Sequence, residues 1–197
     1  MFGKFNKSKD ITNYWEKRYS TGGNSGQGSY GEEAKFKADY INHIIKEMKV
    51  KTLAEIGCGD GNQLGHINVE KYFGYDISST IIEKCKNKYE SDKTKQFSVI
   101  NIDDYSSVTA ADMVISLDVI FHLVTPESFD NYMKELFSGK YKVIAIYTMR
   151  RIPENTENMA AHVKANDIMD WKMKYCSKAR ILDVINYQNK DMAVYLW

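Results

Sequence analysis

A single α/β domain built on a mostly parallel sheet is the fold class that the sequence predicts, and three observations predict it. From Thr52 onward, apolar runs of strand length alternate with helical segments, the pattern of strands covered by helices on both faces. Three glycines, Gly57, Gly59 and Gly61, directly follow the first of those runs. Two closing runs, Arg180–Tyr187 and Met192–Trp197, flank a polar turn at Gln188–Asp191 and read as a hairpin that adds an antiparallel strand.

Each element has its own signal. Tyr14, Trp15 and Tyr19 share helical spacing within Ile11–Tyr19. The next segment, Thr21–Gly31, has five glycines in eleven residues and is expected to be a mobile loop. Ile41, Ile44, Ile45 and Met48 form the apolar stripe of a helix over Glu32–Met48. Thr52–Gly57 is the first strand and Tyr72–Ile77 the second. Thr80-Ile81-Ile82-Glu83 fits a capping box and opens a helix to about Tyr89. Phe97–Ile102 and Met113–Leu117 follow as strands three and four. Thr125 with Pro126 starts a helix through Phe137, Lys142–Thr148 is strand five, and Asn166–Tyr175 is compatible with a helix. The division expected is an N-terminal helix and glycine-rich lid over residues 1–31 and one catalytic domain over 32–197.

Composition narrows the function. A chain of 197 residues suits one domain, and 43% hydrophobic with 27% charged residues is ordinary for a soluble protein. A net charge of +1 gives no overall bias toward nucleic acid or membrane. Cys58, Cys85 and Cys176 lack metal-ligand spacing, so no metal is expected and a reducing compartment is. With no secretory-type start and no long apolar run, the chain is expected to be cytoplasmic.

The glycine register discriminates between nucleotide ligands. A dinucleotide fingerprint GxGxxG would put its third glycine at position 62, where the chain has Asn62. Glycine comes one residue early, at Gly61. The stretch Glu55-Ile56-Gly57-Cys58-Gly59-Asp60-Gly61-Asn62-Gln63 resembles the first motif of class I S-adenosylmethionine (SAM)-dependent methyltransferases. Asp76 ends the second strand at the distance where an acid can hold ribose hydroxyls. The polar end of strand three, Asn101-Ile102-Asp103-Asp104, and the segment Ser116-Leu117-Asp118-Val119-Ile120-Phe121-His122-Leu123 resemble two later motifs. Tyr14-Trp15-Glu16, Gly22–Gly26, GCGDGNQL and SLDVIFHL are together similar to a small bacterial and phage subgroup of that family.

The resemblance implies a Rossmann-like seven-stranded sheet in the order 3-2-1-4-5-7-6, with strand seven antiparallel. It implies a cofactor site drawn from Glu55, Gly57, Cys58, Gly59, Asn62, Gln63, Asp76, Ile77, Asn101, Ile102, Asp103, Leu117 and Asp118, holding SAM and releasing S-adenosylhomocysteine (SAH). Many relatives carry a glutamate where this chain has Phe121. Which of Asn101, Asp103 and Asp104 meets adenine is left open.

Methyl transfer from a sulfonium needs alignment and proton removal more than covalent catalysis. His122 is the candidate base, and Asp118 either holds the cofactor amino group or the acceptor, or caps the next turn. Tyr14, Trp15 and Tyr19 form an aromatic lid or plain packing. Arg150 and Arg151, which follow strand five, either recognise an anionic acceptor or are solvated loop arginines, and His162 stands near the acceptor mouth or on bare surface. The expected activity is O-methylation of a small molecule, plausibly sugar-linked or nucleotide-linked. The competing classes are a non-catalytic SAM-binding scaffold and a nicotinamide-dependent oxidoreductase.

Overall fold

The computed structural model describes residues 8–149, 160, 162–164 and 166–197. Arg150 and Arg151 lie outside them. The helices are α1 (Ser8–Ser20), α2 (Gly31–Glu47), α3 (Ser79–Lys88), α4 (Pro126–Leu136) and α5 (Ile168–Tyr175). The strands are β1 (Thr52–Ile56), β2 (Lys71–Asp76), β3 (Lys95–Val99), β4 (Met113–Leu117), β5 (Val143–Met149), β6 (Arg180–Tyr187) and β7 (Lys190–Leu196).

They form one seven-stranded sheet in the order β3-β2-β1-β4-β5-β7-β6, with β7 antiparallel to both its neighbours. This is the Rossmann-like methyltransferase arrangement that the motifs imply. Strand period sorts the core into two layers. Ala54, Val114, Ile144 and Tyr195 face α1, α4 and α5, while Leu53, Met113, Ile115 and Ala145 face α2 and α3. Since β1 is flanked by β2 and β4, the chain leaves its central strands in opposite directions. A crevice therefore opens at their C-terminal ends.

Local chemistry sets several boundaries differently from the sequence expectation. Ser78 rather than Thr80 caps α3, its hydroxyl accepting from the Ile81 amide, and the hydroxyls of both residues donate to Glu16 of α1. β3 lies earlier, at Lys95–Val99, since Asn101 and Asp104 pair into a turn beyond it. No α-helix follows the glycine loop, only a 3-10 turn at Gln63–His66. The Thr21–Gly31 segment is a docked strap, not a loose loop. It contains a 3-10 turn at Gln27–Ser29 and is tied to the glycine loop by the bonds described below.

Candidate active site

Beneath the strap, the ends of β1, β2 and β4 bound a cleft. Its walls include Trp15, Tyr19, Ser25, Lys37, Glu55, Gly57, Cys58, Gly59, Asp60, Gln63, Asp76, Ile77, Ile102, Leu117, Asp118 and His122. The Tyr132 hydroxyl closes the floor, bonding to the Ile56 carbonyl (2.9 Å) and to Ser116 Oγ (2.7 Å).

The glycine loop is saturated from within. The amides of Gly57 and Cys58 both donate to the Tyr75 carbonyl, at 2.7 and 2.9 Å. Those of Gly59 and Asp60 donate to Asp76 Oδ2 (3.0 Å) and Ser25 Oγ (2.8 Å). Gly61 donates to the Cys58 carbonyl (3.2 Å), and Asn62 to Asp60 Oδ1 (3.0 Å). Every amide from Gly57 to Asn62 thus has an acceptor within the protein. Gly57 is irreplaceable on two counts: its φ is +89°, and a Cβ would sit 2.4 Å from Val119.

The strap reaches the loop through Asp60. The Ser25 amide donates to Asp60 Oδ2 (2.9 Å) while Asp60 returns its amide to Ser25 Oγ. Tyr30 adds its hydroxyl to Asp60 Oδ2 at 2.6 Å. Asn62 sends its side-chain amide to the Ser29 carbonyl (2.7 Å) and does not line the cleft. Asn62 thereby ties the strap to the glycine loop.

Carboxyl groups dominate the cleft. Glu55, Asp60, Asp76 and Asp118 stand against one amine, Lys37. Burial pushes the Asp76 carboxyl up to about 6, opposed by the backbone amides of Ser78 and Gly59. Burial likewise raises Glu55 to about 7, although Tyr72 donates to it at 2.5 Å. Gln63 donates to the Ala34 carbonyl (2.8 Å), and its Oε1 is a buried acceptor with no partner. At the far end, Ile100, Ile102 and Tyr105 supply apolar walls. Asn101 and Asp103 are exposed and off the cleft, because Asn101 Oδ1 caps the Asp103 amide (3.0 Å) in a local turn.

Asp118 sits in the left-handed region, φ +60°, where its carboxylate meets two lysines. Lys37 approaches at 2.8 Å and Lys190, from the last strand, at 2.6 Å. Lys190 also pairs with Glu33 (2.6 Å), which accepts from the Tyr147 hydroxyl (3.1 Å). Lys37 is only 1% exposed and lies 5.1 Å from the Tyr147 ring centre. Lys37, Lys190 and Glu33 escaped the sequence reading. One signal was present: Lys37 falls on the buried α2 stripe of Ala34, Ala38, Ile41 and Ile45.

A second cavity, of about 190 Å³, adjoins the cleft. Tyr14, Trp15, Arg18, strap residues 25–29, Asp118, Phe121, His122, His162 and Lys190 line it. His122 and Asp118 belong to both spaces. The His122 Nδ1 is 3.0 Å from the His162 carbonyl, which can only accept, so Nδ1 carries the proton and Nε2 the lone pair. Burial pushes the His122 ring down to about 4, so it is uncharged at neutral pH. The His162 ring stacks with those of Tyr14 and His122, at centroid separations of 4.3 and 5.4 Å, and Trp15 meets His122 edge-on at 4.9 Å. Among the described residues, no group of three or more His, Cys, Asp or Glu is placed to hold a metal ion. Nor is any described helix long and apolar enough to cross a membrane.

Residues 53–139 match a family model described as a methyltransferase domain. No curated protein matches the chain. The N-methyltransferase NodS from Bradyrhizobium japonicum WM9, in complex with SAH, superposes at a TM-score of 0.71 and 10% identity, covering 94% of this chain and 97% of NodS. A SAM-dependent methyltransferase from Clostridium acetobutylicum ATCC 824 gives 0.65 at 11% identity, with 97% and 99% covered. A chain from the Haloferax volcanii complex between the Trm112 methyltransferase activator and the putative methyltransferase gives 0.64 at 13%, with 96% and 97% covered. At these identities the likeness is one of fold.

Proposed function

We propose that the chain is a SAM-dependent methyltransferase acting at an oxygen of a small-molecule acceptor. One observation carries this reading above the others: the glycine loop has no amide left to give. A pyrophosphate needs free backbone donors at this turn, and six consecutive amides are already bonded within the protein. An acid-lined cleft repels a diphosphate and attracts a cation. These features oppose a nicotinamide dinucleotide and favour a sulfonium nucleoside.

The residues present fit such a group. The unpartnered Gln63 Oε1 and the Glu55 carboxyl offer acceptors to an ammonium. Asp76 presents its carboxylate where ribose hydroxyls can donate to it, and Ile77, Ile100 and Ile102 form an apolar slot for a base. When bound, SAM supplies a methyl group already activated on sulfur. The protein then has to exclude water, align the acceptor and remove its proton. The strap and α1 perform the first task. Trp15, Phe121 and the two histidines wall the acceptor space, and His122 Nε2 is the lone pair available to take the acceptor proton. A neutral base suits a hydroxyl acceptor, which must lose its proton as the new bond forms.

The test is turnover. With methyl-labelled SAM and a panel of hydroxyl and amine acceptors, SAH should accumulate with at least one hydroxyl compound. Product labelled only on amines would replace oxygen by nitrogen. No SAH release with any acceptor, despite tight SAH binding, would favour the non-catalytic scaffold.

A further inference from the structure

The two adjoining spaces differ in charge, and the difference speaks to the acceptor. In the second cavity, Lys190 is neutralised: with Lys37 it faces Asp118 and Glu33, two amines against two carboxylates. Both histidines are pushed down, His122 chiefly by burial and His162 by burial and the nearby Arg18. Arg18 remains the cation with no ion-pair partner among the described residues. Its Nε donates to the Asn24 carbonyl at 2.7 Å, and its guanidinium carbon lies 5.6 Å from the Trp15 ring centre. The Gly23 amide holds the Arg18 backbone carbonyl at 2.8 Å. Among the described residues the terminal nitrogens of this guanidinium meet no hydrogen-bond acceptor, and such a fork suits a carboxylate bound through two parallel hydrogen bonds.

The walls narrow the class further. They carry five aromatic side chains, those of Tyr14, Trp15, Phe121, His122 and His162, which favour a flat partner. Building on the methyltransferase reading, we propose that the acceptor is a hydroxylated aromatic acid: its carboxylate pairs with Arg18 and its ring hydroxyl is presented to His122. Arg18 is thereby assigned as a specificity-determining residue.

Calorimetry on the full chain saturated with SAH tests this with three probes: 3-hydroxybenzoate, the neutral 3-hydroxybenzamide, and glucose 6-phosphate. The benzoate should bind more tightly than the other two. Arg18→Met, which keeps the stem against Trp15, should weaken the benzoate about tenfold or more and the benzamide far less. Added salt should weaken the benzoate in wild type but not in the variant. Arg18→Lys should restore part of the loss. Equal binding of acid and amide, tighter binding of the phosphosugar, or no effect of Arg18→Met would each overturn the proposal. Failure of SAH itself to bind would instead remove the cofactor reading beneath it.

Discussion

The His122 Nδ1 hydrogen bond to the His162 carbonyl, 3.0 Å long, fixes one tautomer of a buried imidazole at the junction of two cavities. With the ring held near a pKa of 4, Nε2 is unprotonated across the neutral range. His122→Ala should leave SAH affinity intact and slow turnover by about 100-fold or more, the usual contribution of a positioned base. At saturating SAM, wild-type kcat should stay level from pH 8 down to about 5. A kcat that falls with a midpoint near 6.5 would mean the ring is an ordinary exposed histidine.

Asp76 makes cofactor affinity pH-dependent in the opposite region. Its carboxyl is raised to about 6, so it is charged at pH 7.5 and mostly neutral at pH 5. A neutral acid is a poorer acceptor for hydroxyls. SAH should therefore bind up to about tenfold more weakly at pH 5 than at pH 7.5, one unit below its midpoint being worth one factor of ten. The dependence should shrink in Asp76→Ala, leaving the part that Glu55, raised to about 7, contributes through the ammonium. For stability the sign is reversed. The native state holds the Asp76 proton between its ordinary value and 6 while the unfolded state has released it, so free protein loses stability as pH rises through that window. Urea melts at pH 4.5 and 7 of wild type and Asp76→Ala measure the difference, which should shrink in the variant.

The reciprocal Ser25–Asp60 pair clamps the strap. Ser25→Ala and Asp60→Ala should each hasten proteolysis within residues 21–31 and speed SAH dissociation. The double variant should add little to either single one, with a coupling of about 0.5–3 kcal/mol. Fully additive effects on SAH dissociation would show that the two residues act independently.

Lys37 is a buried amine committed to Asp118. Removing it leaves that carboxylate with Lys190 alone and takes a favourable charge away from buried Glu55, to which it is coulombically linked. Lys37→Met should cost about 3–5 kcal/mol in urea unfolding, the range for breaking a buried pair from one side. A loss under 1 kcal/mol would mean that Lys190 and solvent make good the missing charge.

Features encoded in short stretches were legible in the sequence. The sheet order followed from the motifs, and the glycine register, Asp76, Asp118 and His122 stand around the cleft because each sits at the end of a strand. What escaped depended on distant partners. Ser78 and Thr80 both suit an N-cap, and both hydroxyls also donate to Glu16, from a helix far earlier, a contact that no local pattern foretells. Asn62 occupies a ligand-like position, yet the strap claims its amide. Asn101 prefers its own turn to the cleft. Glycine content made Thr21–Gly31 read as mobile, whereas Asp60 supplies bonds that hold it. Lys190 reaches Asp118 only because the last strand inserts beside β5.

The central claim is that the loop after β1 and the acid at the end of β2 enclose a cationic nucleoside and refuse a diphosphate. Titration calorimetry with SAH and NAD, run in parallel on wild type and Asp76→Ala at pH 7.5, tests it most directly. SAH should bind wild type with one site and lose about 1.5–3 kcal/mol in the variant, while NAD gives no heat with either. Binding of NAD in place of SAH, or SAH binding indifferent to Asp76, would contradict the assignment.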